Sequence, residues 1–229
     1  MKTISTHESA SLAFDQATPA LASPAAARLA LGAAVLFLVL LAALLVLQPE
    51  IDPNWRFISE HALGRHGWMM SLAFLSLAAS GVATALTLWP QVRLGGRIGI
   101  GFLLVGALGL TLAGIFTTDP ITTPMDAQST SSQLHGLGAL LGDGVAIGAI
   151  FITGSLLRNK SWRSARGWMI GALALVWFAY IWIILSMPAD GNFGPDVPIG
   201  WPSRLYLVSY CLWFIVTAWQ ALRLRRQPA

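Results

Sequence analysis

Six long apolar runs, separated by short polar segments, make up most of the chain. A helix of about 20 apolar residues spans the hydrocarbon core of a bilayer, which is about 30 Å thick. Each run has about that length, and the runs lie at residues 29–47, 67–92, 98–116, 132–157, 167–187 and 203–222. The pattern therefore predicts an all-α fold: a polytopic membrane protein with six transmembrane helices.

The composition agrees with burial in lipid. Hydrophobic residues make up 55% of the 229 residues and charged residues only 10%, whereas soluble domains carry roughly 25% charged residues. The pI near 9.8 does not indicate a nucleic-acid partner, because the basic residues lie at the ends of the apolar runs. The single cysteine, Cys211, excludes an intramolecular disulfide and a thiolate metal cluster.

The distribution of basic residues predicts the orientation. With the amino terminus inside, eleven lysines and arginines lie on the inner side and three on the outer side. The inner residues are Lys2, Arg28, Arg93, Arg97, Arg158, Lys160, Arg163, Arg166, Arg223, Arg225 and Arg226, and the outer residues are Arg56, Arg65 and Arg204. Because cytoplasmic loops carry the excess of basic residues, both termini are predicted to be cytoplasmic.

Three regions follow from this pattern. Residues 1–27 are rich in Ser, Thr, Ala and Pro without apolar periodicity, which predicts a disordered cytoplasmic tail. Residues 28–222 form a single six-helix membrane domain, and residues 223–229 form a basic cytoplasmic tail. Glycines are frequent in the third and fourth runs, with two G-x-x-x-G spacings in the fourth. Small residues let membrane helices approach closely, so we expect these two helices to lie side by side.

The candidate chemistry lies around residues 114–143. Three groups of polar residues fall on the predicted outer side: the segment before the second helix, the end of the third and the start of the fourth. Asp143 lies deeper, inside the fourth run, where an ionisable group is costly and marks a functional site by default. The candidate outward-facing polar cluster consists of Ser59, Glu60, His61, Asp119, His135, Asp143 and Arg204.

Specific contacts are expected within this cluster. Asp119 and His135 should approach one another over the ends of helices three and four, with His61 beside them. Asp143 should lie beneath, reachable from outside through a pocket and buried from lipid. Arg204 should find an acidic partner, Asp119 first and Glu60 second. If Asp143 is only structural, its hydrogen-bond partner should be Thr111, Ser80 or a backbone carbonyl.

Four segments resemble one known family when taken in order. They are ISEHALGRHGW (58–68), GIFTTDP (114–120), SSQLHGLGALLG (131–142) and GWPSRLYL (200–207). Together they resemble the family of domain of unknown function 998, over residues 31–222. The resemblance implies a six-helix integral membrane protein of bacteria or archaea, and hence a multi-pass protein of the bacterial plasma (inner) membrane. It implies no established activity.

Three functions are compatible with the sequence, which does not decide whether the protein is an enzyme. The first is a ligand- or lipid-binding or accessory membrane protein, whose partners are the bilayer and a lipid or small molecule. The second is a proton-coupled carrier or relay that uses Asp143 and His135, since such chains of carboxylate and imidazole mark proton paths. The third is a metal-dependent membrane hydrolase with zinc on His61, Asp119 and His135, because three such ligands and an open position suit catalytic zinc.

Overall fold

The computed structural model describes residues 23–226, and over these residues the chain consists of helices joined by turns and loops. Four short 3-10 segments cover Ile58–Leu63, Trp89–Gln91, Met125–Ala127 and Lys160–Ala165. The α-helices are α1 (Pro24–Leu47), α2 (Gly67–Leu88), α3 (Leu94–Ile115), α4 (Thr130–Gly142), α5 (Gly144–Leu156), α6 (Arg166–Ser186) and α7 (Gly200–Arg226).

Six helical stretches of the described chain are long and apolar enough to cross a membrane, and α4 and α5 together form the fourth. This confirms the all-α fold with six membrane-spanning helices. Many large apolar side chains on these helices are exposed, among them Val46, Leu86, Leu108 and Leu185. Because such a surface is unfavourable in water, it fits contact with lipid. The length and apolar character of the six helices therefore indicate a multi-pass membrane protein.

The first and last helices extend into residues that were predicted to be tails. Helix α1 begins at Pro24, where Ser23 caps it by accepting a hydrogen bond from the Ala26 backbone N–H at 3.4 Å. Residues 24–27 are therefore helical, while residues 1–22 of the predicted disordered tail lie outside the described residues. At the other end α7 continues to Arg226, so the first four residues of the predicted basic tail are helical too.

The helices form a closed ring. Helix α1 packs against α2 and α7, α2 against α3, α3 against both α4 and α5, and α6 against α7 and α5. Side chains that fill the interior include Phe37, Leu77, Leu103, Ile152 and Trp213, each almost fully buried. We call the end with the loops at residues 48–66, 116–129 and 187–199 the acidic end, and the end with the turns at 89–93 and 157–165 the basic end.

Helices α3 and α4–α5 approach closely along their glycines, as the sequence predicts. A Cβ added to Gly109 would lie 2.5 Å from the Gly138 carbonyl oxygen, and one added to Gly148 would lie 2.6 Å from the Gly99 carbonyl oxygen. Neither position has room for a larger residue. The fourth membrane-spanning helix is thereby held against the third.

The predicted fourth helix is interrupted at Asp143, between Gly142 and Gly144. The Asp143 backbone N–H bonds to the carbonyl oxygen of Leu140 at 3.3 Å, a tight turn of the kind that interrupts α-helices. The Tyr210 hydroxyl of α7 also bonds to the Gly142 carbonyl oxygen at 3.3 Å. The fourth helix predicted at residues 132–157 is therefore present as the span Thr130–Leu156, but it contains a turn that the sequence pattern did not predict. The glycines on either side of Asp143 weaken the helix, and a side chain from α7 contacts the backbone there.

Candidate functional site

Glu60 is buried at the acidic end, and its carboxylate is fully paired. Arg56 bonds to Oε1 at 2.8 Å, and the backbone N–H groups of Phe57 and Ile121 bond to Oε2 at 2.8 Å and Oε1 at 2.9 Å. Only 1% of Glu60 is exposed. The residue thus joins the 3-10 segment before α2 to the loop after α3, which is the arrangement of a structural carboxylate.

His61 lies beside Glu60 and is completely buried. Its Nε2 lies 3.3 Å from Nη2 of Arg204, and its Nδ1 lies 3.0 Å from Oε1 of Gln48. A guanidinium can only donate hydrogen bonds, so Nε2 accepts and Nδ1 carries the proton that Gln48 accepts. His61 is therefore neutral, and burial together with the charge of Arg204 lowers its pKa to about 4.

Arg204 does not form the expected ion pair with Asp119 or Glu60. Its Nη1 donates to the carbonyl oxygens of Arg56 at 2.7 Å and Gly200 at 3.0 Å, in addition to the contact with His61. Among the described residues the one ion pair is Arg56–Glu60. At 2% exposure, Arg204 is held by backbone carbonyls at the start of α7, and the carboxylates of Glu60 and Asp52 act on its charge without forming an ion pair with it.

Asp119 belongs to a different local structure. Its carboxylate accepts hydrogen bonds from the Ser129 backbone N–H at 2.6 Å and the Ser129 hydroxyl at 3.0 Å, just before α4. The Asp119 N–H donates to the Ser132 hydroxyl at 3.1 Å. The residue thus closes the loop between α3 and α4, in the way expected of a loop-forming aspartate.

The three proposed zinc ligands have separate partners, and within residues 23–226 no three His, Cys, Asp or Glu side chains form a group that could hold a metal ion. Both ring nitrogens of His61 are engaged, and Asp119 is bound to Ser129. The arrangement of these side chains therefore gives the zinc hypothesis no support.

His135 points into the bundle and is 7% exposed. Its Nδ1 lies 3.1 Å from the Ala113 carbonyl oxygen and 2.9 Å from the Phe116 carbonyl oxygen. Because carbonyls only accept, Nδ1 carries the proton, and Nε2 is left as an acceptor with no partner among the described residues. The ring also packs edge-on against Phe74, with the centroids 5.8 Å apart.

Asp143 is half-buried at the break between α4 and α5. Its Oδ1 accepts a hydrogen bond from the Tyr206 hydroxyl at 2.9 Å, and its Oδ2 has no partner within the described chain. Thr111 and Ser80 bond instead to the carbonyl oxygens of Ala107 and Ala30, both at 2.8 Å. The expected partners of Asp143 are thus replaced by a tyrosine of the sixth membrane-spanning helix.

A cavity of about 490 Å³ connects several of these residues. It lies at the acidic end between α4, α6 and α7, because α4 leans on α3 and away from the other two helices. Most of its lining is apolar. Its polar side chains are Ser59, Thr118, Gln128, Ser132, His135, Asp143, Tyr180, Ser203, Tyr206 and Tyr210.

The cavity opens at the surface between α4 and α6. Gly136 and Leu140 of α4, Ile184 of α6 and Met187 directly after α6 line it and are exposed. Asp143 lies at the end of the cavity farthest from the start of α4. At a rise of 1.5 Å per residue, it is about 20 Å along the helix axis from Thr130, the first residue of α4. Among the described residues no lysine or arginine lines the cavity. The cavity therefore extends from exposed residues at α4 and the end of α6 to the carboxyl group of Asp143.

The seven predicted cluster residues thus divide into three groups. Glu60, His61 and Arg204 form a buried structural cluster, Asp119 closes a loop, and Ser59, His135 and Asp143 line the cavity. Sequence reasoning missed Gln48, Tyr206 and Tyr210. Tyr206 lies within GWPSRLYL, one of the four segments that resemble the family. It was not among the predicted site residues because the candidates there were selected by charge, and tyrosine is uncharged.

The family of the chain follows from a direct match. The family model described as "Protein of unknown function (DUF998)" matches residues 30–220. The chain belongs to this family. No curated protein and no solved structure matches it significantly. The DUF998 model covers every membrane-spanning helix apart from the ends of the first and last, so the resemblance seen in four short segments extends over the whole helical domain.

Proposed function

We propose that this DUF998 protein binds an amphiphilic ligand that enters its cavity from the bilayer. The single observation that supports this function is the cavity, which opens between α4 and α6 and ends at the carboxylate of Asp143. Its volume of about 490 Å³ lies within the range of roughly 300–1,000 Å³ of small-molecule sites. The apolar part of the ligand lies along the walls, and its polar end reaches Asp143.

The free polar atoms in the cavity define the chemistry of that polar end. Oδ2 of Asp143 and Nε2 of His135 are hydrogen-bond acceptors without partners among the described residues, and no basic side chain lines the walls. A ligand amine or hydroxyl could donate to these two atoms, whereas a ligand carboxylate or phosphate would bring further acceptors to them. The ligand therefore carries a hydrogen-bond donor, an amine or a hydroxyl group.

Two photoreactive probes with the same alkyl chain test this proposal. One is a diazirine-bearing alkylamine and the other is the corresponding diazirine-bearing fatty acid. Each is irradiated with the purified protein in lipid nanodiscs, and the labelled peptides are identified by mass spectrometry. We expect the amine to label α4 and α6 and the acid to label them several-fold less. Equal labelling by both probes would contradict the proposed ligand class.

Two glycine variants provide a matched control. Gly136 lines the cavity, Gly154 of α5 does not, and an added Cβ would meet nothing within 4 Å at either position. Gly136→Phe should block the opening and abolish labelling of α6, whereas Gly154→Phe should leave it unchanged. If both variants label like the unmodified protein, the cavity is not the binding site. Asp143→Asn should reduce the preference for the amine.

A second candidate function is the proton-coupled carrier or relay. The observation that favours it is that Asp143 and His135 line the same cavity, each with one free acceptor atom. Proton-dependent uptake of an alkylamine into proteoliposomes, lost in Asp143→Asn, would support transport. Binding without uptake would leave the ligand-binding function alone.

We also propose that the protein lies in a bacterial plasma (inner) membrane with both termini in the cytoplasm. The charge distribution supports this orientation. At the basic end, the turns and the first residues of the helices that follow them (89–97 and 157–166) contain six basic residues and no acidic residue. The acidic end carries Glu50, Asp52, Glu60, Asp119, Asp126, Asp190 and Asp196. Cytoplasmic loops are the basic ones, so the cavity faces outward in this orientation.

A further inference from the structure

A second groove lies at the opposite, basic end of the bundle. It has a volume of about 380 Å³ and lies between the start of α6 and the last turns of α7. Its lower part is formed by Ile215 and Val216, and its rim by Trp168, Trp219, Ser164 and Arg223. Trp168 is 75% exposed and Trp219 is 50% exposed. Exposed tryptophans of this kind are typical of the membrane–water interface.

The groove has a fixed wall. Gln220 is 4% exposed, and its Nε2 donates to the Ser161 carbonyl oxygen at 3.2 Å and the Ser164 hydroxyl oxygen at 3.0 Å. These bonds hold the 3-10 segment Lys160–Ala165 against α7. Since the oxygen of Ser164 already accepts a hydrogen bond, its O–H group remains available to donate into the groove.

The cation of the groove is positioned by an aromatic ring. The Arg223 guanidinium lies 5.4 Å from the centroid of Trp219, one turn earlier on α7. Such stacking restricts an arginine side chain while leaving its N–H groups free to donate. Within the described residues Arg223 has no carboxylate partner. Arg223 and Ser164 therefore provide donors beside one apolar floor.

The surroundings add to this positive potential. The segment 157–166 carries Arg158, Lys160, Arg163 and Arg166, and the acidic residues of the described chain lie at the other end of the bundle or at Asp143. Of the basic residues at this end, Arg223 lines the groove itself, so a phosphate placed at the rim would meet its guanidinium. The apolar floor would contact the first carbons of an attached acyl chain.

We propose that this groove binds the head group of an anionic phospholipid. The phosphate lies against Arg223 and Ser164, the tryptophans flank it at the interface, and an acyl chain follows Ile215 and Val216. Basic pockets between membrane helices recognise anionic head groups in this way. This site is separate from the cavity at the acidic end, and its ligand is an anion, whereas the ligand proposed for the cavity carries an amine or a hydroxyl group.

Lipid-dependent thermal stability of the purified full-length protein in detergent tests this site. The protein is titrated with phosphatidylglycerol, with phosphatidylcholine of the same acyl chains, and with inorganic phosphate. We expect phosphatidylglycerol to raise the melting temperature at lower concentration than phosphatidylcholine, and inorganic phosphate to have no comparable effect. An equal effect of phosphatidylcholine would exclude anion selectivity, and an equal effect of inorganic phosphate would exclude a lipid site.

The chain provides a matched control for Arg223. Arg97 stacks on Trp89 at 5.2 Å at the same end of the bundle, but neither residue lines the groove. Arg223→Gln should raise the phosphatidylglycerol concentration at the midpoint about fivefold, the effect of one basic residue at an anionic surface, while Arg97→Gln leaves it unchanged. Trp168→Leu, at an exposed position, should shift the midpoint in the same direction as Arg223→Gln. Equal shifts for Arg223→Gln and Arg97→Gln would indicate diffuse attraction and overturn the proposal.

Discussion

Glu60 and His61 illustrate two ways in which a polar side chain is kept inside this bundle. Glu60 is charged and receives three hydrogen bonds, one of them from Arg56. His61 is neutral and lies between a donor, Arg204, and an acceptor, Gln48. Because protonation of His61 would place a second positive charge beside Arg204, the neutral ring is required for this packing.

The lowered pKa of His61 makes a prediction about stability. The ring binds its proton near pH 6.5 when unfolded and near pH 4 in the folded protein. Between these values the unfolded chain binds more protons than the folded protein. The stability that the neutral, packed His61 ring contributes is therefore complete above about pH 6.5 and is lost as the pH falls toward 4. We expect the free energy of unfolding in detergent to decrease by up to about 3 kcal/mol over that range.

His61→Gln should remove this part of the pH dependence, because glutamine does not titrate. His66→Gln, at a partly exposed position before α2, serves as the control and should retain it. The measurement is the denaturation midpoint at several pH values for the three proteins. An unchanged slope in His61→Gln would show that another group is responsible.

Tyr206 provides the second prediction at the residue scale. Tyr206→Phe removes the hydrogen bond to Oδ1 of Asp143 and leaves the carboxylate without a protein partner. We expect a loss of about 1 kcal/mol in unfolding experiments, the usual size for such a bond. Tyr180→Phe is the control, since Tyr180 lines the same cavity but its hydroxyl does not bond to Asp143. Equal losses in the two variants would contradict the role given to Tyr206.

At the scale of helices, hydropathy and glycine spacing were sufficient for most of the fold. Runs of about 20 apolar residues determine where membrane helices lie, and the clustered glycines correctly placed the third helix against the fourth. The break at Asp143 was missed, because the sequence Gly142–Asp143–Gly144 lies within a run that is apolar on average. Tyr206 and Tyr210 of α7 bond to Asp143 and Gly142 at this break, and such contacts between residues more than 60 positions apart are not visible in a local sequence pattern.

The glycine packing can be tested with a matched pair in α3. A Cβ at Gly109 would lie 2.5 Å from the Gly138 carbonyl oxygen, whereas a Cβ at Gly101 would meet nothing within 4 Å. Gly109→Ala should therefore destabilise the protein by about 1–3 kcal/mol through overpacking. Gly101→Ala should be neutral or slightly stabilising, because alanine favours the helix. Denaturation in detergent compares the two, and equal effects would show that the close approach does not limit packing.

At the scale of the whole molecule, the two ends of the helical ring have different chemistry. The acidic end holds the cavity that leads to Asp143, and the basic end holds the groove with Arg223. The sequence indicated this charge asymmetry and predicted a pocket that leads to Asp143, but it could not give the shape of the cavity, since that arises from the way α4 leans toward α3. Likewise, it grouped seven polar residues by their position along the membrane normal and could not show which of them would meet.

The orientation of the molecule is the last prediction. An even number of membrane-spanning helices places both ends of the described chain on one side, and the excess of basic residues predicts that this side is the cytoplasm. Reporter fusions at Ala229 and after Arg158 should report a cytoplasmic position, and fusions after Met125 and Asn192 a periplasmic one. The four fusions test both number and direction: if all four are reversed, the helix count holds and the orientation is wrong. A periplasmic signal at Ala229 together with a cytoplasmic signal after Arg158 would instead show that one helix of the last pair does not cross the membrane.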